Sequence, residues 1–138
     1  MKYLDISANL IGNDQFSKLF SAVSVSNISA FYCRKGRIGG YKIDHLLFCG
    51  SLKLEVLDLA HNNLSDSNGK NLLKYVRQNV TIEKLYLERN IHIRSEMVRE
   101  IENECQMNIR IKKKILIDLP KKLDNSQKYN VTKLCLRD

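Results

Sequence analysis

The chain has 138 residues, enough for one domain, and its apolar content of 43% supports a core and excludes disorder throughout. The formal net charge is +8 and unevenly placed: residues 70–138 hold sixteen Lys and Arg against nine Asp and Glu, while residues 1–69 hold seven against six. The longest uncharged run, Leu19 to Cys33, is too short to span a bilayer, and the opening MKYLDIS has no signal-peptide h-region, so a cytoplasmic location is expected.

The first apolar frame is Leu4, Ile6, Asn9 and Ile11, an alternating strand followed by an Asn turn. Phe16, Leu19, Phe20 and Val23 follow at i, i+3, i+4 and i+7, one stripe of a helix. Ile28, Phe31, Cys33 and Ile38 restate the strand, with Gly36 where the Asn stood, and Ile43, Leu46, Leu47 and Gly50 give the next helical stripe. Leu54, Leu57, Leu59, Asn62 and Leu64 are the fullest copy, with a helix expected over Gly69, Leu72, Leu73 and Val76. Ile82, Leu85, Leu87 and Asn90 come next, then Met97, Val98, Ile101 and Cys105 as a fourth stripe. From Leu4 to Phe31, Leu57 and Leu85 the steps are 27, 26 and 28 residues. Beyond residue 105 the frame is read more loosely. Ile109 and Ile111 give a fifth strand, Leu116, Leu119 and Leu123 a short helix disturbed by Pro120, and Val131, Leu134 and Leu136 a last strand.

The spacing L-x-x-L-x-L-x-x-N-x-L over Leu54–Leu64, repeated at Ile82–Asn90, resembles the leucine-rich repeat family in its helix-containing, ribonuclease-inhibitor-like form. The resemblance implies an α/β, horseshoe-like solenoid of about five repeats, with short parallel strands on a concave face and helices on a convex one. Residues 1–138 read as a single such domain, regular over 1–105 and irregular, basic and truncated over 106–138. Such a unit cannot bury its own apolar face, so the uncapped ends are expected to favour self-association.

The resemblance also names a binding surface, the outward strand positions. They are Tyr3 and Asp5, Tyr32 and Arg34, Asp58 and His61, then Tyr86, Glu88 and Arg89, with Arg110 and Lys112 from the fifth strand. Tyr and Arg are the residue types that anchor interfaces best. The implied function is recognition of a protein partner without catalysis. An alternative is a substrate-targeting fragment of a larger enzyme, such as a ubiquitin ligase or a pathogen effector. Arg34, Lys35, Arg89, Arg110, Lys112, Lys113, Lys133 and Arg137 make a basic stripe able to meet phosphates, but Asp5, Asp58 and Glu88 interrupt it, so nucleic acid ranks below protein.

Chemistry-bearing motifs are sparse. His45, His61 and His92 fall in different frames without metal-ligand spacing, so neither a metal nor a cofactor is expected. Cys33, Cys49, Cys105 and Cys135 are widely spaced, as in reduced intracellular chains. Gly36 to Gly40 is a turn rather than a phosphate loop. The sequons at Asn27, Asn63, Asn79 and Asn130 sit where turn chemistry is expected anyway.

Overall fold

The computed structural model describes residues 2–40 and 53–122. In chain order these give β1 (Tyr3–Asp5), α1 (Gly12–Ser24), β2 (Ala30–Tyr32), β3 (Val56–Asp58), α2 (Asp66–Gln78), β4 (Lys84–Tyr86) and α3 (Ser95–Lys122). The strands form one parallel sheet in the order β1-β2-β3-β4. Its central row is Leu4, Phe31, Leu57 and Leu85, one residue from each strand, in register. The apolar alternation predicts this row, because each of these side chains points to the helical side.

The expected horseshoe-like solenoid of about five repeats is corrected. The described residues form a small α/β fold of four parallel strands and three helices, not a repeat solenoid. The expected fifth strand at Ile109–Ile111 lies inside α3, so Arg110 and Lys112 are helical residues. Two features explain the difference. From Ser95 to Leu119 there is no Gly or Pro to end a helix. The segment is also rich in Glu, Lys, Arg and Leu, strong helix formers. Alternation over three residues is too little to overcome that. The second predicted helix, at Ile43–Gly50, and the last strand, at Val131–Leu136, lie outside the described residues.

The core sits between sheet and helices. Phe16 and Phe20 of α1 meet Phe31 of β2 at ring separations of 6.0 and 6.4 Å, and Phe20 meets Tyr75 of α2 at 6.3 Å. Leu72, Leu73 and Val76 carry the buried stripe of α2, and Met97, Ile101 and Cys105 that of α3. Gly69 lets the two helices approach, since a Cβ there would lie 2.7 Å from Met97 Cγ.

The turns are held by side-chain amides. Asn62 is 6% exposed; its Nδ2 donates to the carbonyls of Cys33, Leu59 and Ala60, and its Oδ1 accepts from the N–H groups of Gly36 and Ile38. Asn90 donates to the Leu59 and Leu87 carbonyls and accepts the Leu64 N–H. Gly36 is thus covered by its neighbour's amide and needs none of its own. Asn13 clips Gly39 in both directions, at 2.7 and 3.0 Å, and Asn68 donates to the Gly40 carbonyl at 2.9 Å. A Cβ on Gly39 would collide with the backbone carbonyl of Asn63, which explains the glycine.

Candidate functional site

The strand face turned away from the helices carries most of the predicted site residues. By register Asp5, Tyr32, Asp58 and Tyr86 lie side by side across the sheet. The row before them is Tyr3, Ala30, Val56 and Lys84, with small and buried residues at its centre. Tyr3 is 71% exposed. Asp5 and Glu88 are exposed, while Tyr32, Tyr86 and His61 are partly covered.

Asp58 departs from expectation. Its strand position is outward, yet it is 1% exposed. Arg34, two residues past β2, reaches across and donates Nε–H to Asp58 Oδ2, while Asp58 Oδ1 accepts the Ala60 N–H at 3.1 Å. The Arg34 guanidinium also lies 5.9 Å from the Tyr86 ring centroid, a cation–π distance. The bond to Asp58, foremost, raises the Arg34 pKa above its usual value, so the cation is permanent. Asp58 therefore acts as the anchor of Arg34 rather than as a surface contact. Asp5 is held below the usual carboxylate range, first by the hydrogen bonds from Ser7. Its charge is fixed on the neighbouring edge of the same face.

Along the rim, Ala8, Lys35, His61 and Arg89 take the same position in successive turns, each with φ between 54° and 63°. The Ala8, Lys35 and His61 N–H groups donate to the carbonyls of Arg34, Ala60 and Glu88 in the adjacent turns. Non-glycine residues in this left-handed region cost about 1 kcal/mol or more, and the inter-turn bonds hold them there. The outcome is a row of Lys35, His61 and Arg89 beside the tyrosines.

Arg110 and Lys112 do not join this face. Arg110 is exposed on α3, and Lys112 bonds Glu83 Oε1 at 2.8 Å and Glu55 Oε1 at 3.4 Å. These carboxylates just precede β4 and β3, so Lys112 ties the helix to the lower end of two strands. The Glu83 bond, followed by opposing burial and then the charges of both carboxylates, raises its pKa. The basic stripe, already interrupted by acidic residues in the sequence, is divided further: Arg34 and Lys112 are paired with carboxylates, Lys113 lies on a helix, and Lys133 and Arg137 lie outside the described residues. Asn108 is buried in α3 and donates to the carbonyls of Val76, Asn79 and Ile82, closing the end of α2. Its place on the stripe of Ile101 and Cys105, seven and three residues on, is the signal the sequence carries for it.

Among the described residues, the two cysteines, Cys33 and Cys105, are buried and unpaired. Burial, then the charges of Asp58 and Asp5, pushes Cys33 up to about 12, and burial pushes Cys105 up to about 11, from an ordinary 9.0. Only the thiolate attacks alkylating reagents. Native protein at pH 8 is expected to leave both cysteines unlabelled by iodoacetamide, as peptide mapping will show, while denatured protein labels both. Folding holds the proton more tightly than the unfolded chain does. This contribution to stability is therefore intact below about pH 9 and lost as pH rises toward 12. Among the described residues no three His, Cys, Asp or Glu side chains converge as metal ligands.

No family model matches the chain, and no curated protein matches it. Among solved structures it is similar to "Leiomodin-1 Actin-Binding Site 2 (ABS2)", at 13% identity over 88% of each chain, with a TM-score of 0.56. At that identity the likeness is one of fold. No helix among the described residues is long and apolar enough to cross a membrane, including the 28-residue α3.

Proposed function

We propose that the chain is a non-catalytic protein-binding module whose partner seats on the open strand face. The observation that carries this reading is the held arrangement of Arg34, bonded to buried Asp58 and set against Tyr86. A preorganised arginine beside tyrosines loses little rotamer freedom on binding, which is what an interface anchor needs. Tyr32 and Tyr86 supply the apolar contact. Tyr3, Asp5, His61, Glu88 and Arg89 form a polar surround. The fold is shared with a solved actin-binding fragment, which supports protein recognition and makes actin the first purified partner to assay.

Affinity capture from cell extract at low and high salt, read by mass spectrometry, tests the proposal alongside a direct actin assay. A Tyr32→Ser, Tyr86→Ser variant is expected to lose at least about tenfold in affinity for the captured partner, the effect of removing anchor residues. Arg34→Ala is made together with Asp58→Asn, because a buried carboxylate left alone would destabilise the fold. A partner that binds these folded variants as well as the parent chain would overturn the reading. A partner that dissociates steeply with salt whatever the tyrosines would point to phosphate chemistry instead.

A further inference from the structure

Among the described residues, the second half of α3 keeps several apolar side chains partly exposed. The stripe Met97, Ile101, Cys105 and Asn108 is buried against the rest of the fold, and it continues in three- and four-residue steps through Ile111 and Ile115. Asn108 bonds the Val76 carbonyl in the last turn of α2, so α2 ends there. α3 runs on for about 20 Å, at 1.5 Å per residue. Over that length Met107, Ile111, Ile115, Leu116 and Ile117 are between 38% and 59% exposed. Arg110, Lys113 and Lys114 are exposed among them, with Asp118 the one acidic residue from Met107 to Leu119.

We infer that this half of α3 docks an acidic amphipathic helix of a partner protein. The partner's apolar face lies along Ile111 and Ile115, and its carboxylates meet the flanking Arg110 and Lys114. The same helical stripe already packs helix against helix where α2 covers it, so the surface past Gln78 presents the geometry of a further helix in that layer. Charge selects an acidic occupant. A second copy of this chain would set these cations against their own equivalents, at a cost not repaid by one aspartate. A lipid surface fits less well, because the stripe faces the same side as α2 and the sheet. There Lys112 is fastened to Glu83 and Glu55, and the body of the fold flanks the approach. This site is separate from the strand face and does not rest on the function proposed for it.

The test is fluorescence anisotropy of the full chain with a designed helical peptide of about 18 residues, five turns. The peptide has leucines on one face and glutamates on the other. A second peptide of the same composition is scrambled so that no apolar face forms. The patterned peptide is expected to bind at least about tenfold more tightly than the scrambled one. Ile111→Ser with Ile115→Ser should abolish that preference, and Tyr32→Ser with Tyr86→Ser should leave it unchanged. These isoleucines are partly exposed, and matching circular dichroism and thermal midpoints will show that the variant folds. Three results would each overturn the inference. One is equal binding of both peptides, which is charge alone. Another is binding to phosphatidylserine-containing vesicles with no peptide preference. The third is a dimer in sedimentation equilibrium that the Ile111→Ser, Ile115→Ser variant dissolves.

Discussion

Leu87→Ala is expected to lower stability by about 2–5 kcal/mol, the range for truncating a fully packed leucine. Leu87 follows β4 and is 3% exposed within the core cluster. Its surroundings leave little room to relax. Leu85 lies two residues earlier on the same side, and the Leu87 carbonyl is fixed by the Asn90 amide. The side chain's loss therefore leaves a cavity rather than a collapse. Urea denaturation followed by circular dichroism checks this: the midpoint should fall while the slope stays near that of the parent chain. Ile91→Ala is the companion control. That side chain is almost fully exposed on a turn, and its removal is expected to change stability by less than about 0.5 kcal/mol. Equal effects from the two variants would refute the placement of Leu87 in the core.

The second large effect is graded along the turns. Asn62→Ala removes a buried amide that joins five backbone groups from two adjacent turns. Each buried group left unpaired costs about 1–3 kcal/mol, so a loss of at least about 3 kcal/mol is expected even if neighbours or water rescue several. Asn90→Ala breaks three such bonds and should cost less. Asn9 occupies the same sequence position, but its amide bonds only Ile6 and Ser7 carbonyls and is exposed. Water can replace it there, and Asn9→Ala is expected to be nearly neutral. Thermal midpoints of the three variants should therefore fall in the order Asn62, Asn90, Asn9, with the largest drop first. A uniform drop would mean that the amides act locally and not between turns.

Much of the sheet was legible because it depends on short-range pattern. Alternating apolar residues and near-equal spacing locate Leu4, Phe31, Leu57 and Leu85, and these pair in one row. The helical stripes at Phe16–Val23 and Gly69–Val76 were readable for the same reason. Asn62 and Asn90 were marked as turn residues by their position after β3 and β4. Two things were not legible. Extending the repeat past residue 105 treated Ile109 and Ile111 as alternation, although both also fit helical spacing and nothing between Cys105 and Asn108 interrupts the helix. Arg110 and Lys112 therefore belong to α3 and not to a strand. The burial of Asp58 was the other. Register gives the direction in which a side chain leaves its strand, but only the lateral reach of Arg34 from the adjacent turn decides whether water can follow.

Because α3 holds the sheet through residues late in the chain, synthesis and folding are out of step. Asn108 reaches back to carbonyls at Val76, Asn79 and Ile82, and Lys112 to Glu55 and Glu83. As the chain leaves the ribosome, β4 and the end of α2 emerge well before the segment that covers them. The nascent sheet thus has an interval with one apolar flank bare, the condition under which partly made domains aggregate or recruit chaperones. The unbroken run of strong helix formers from Ser95 onward shortens that interval, since such a segment coils locally without waiting for its contacts.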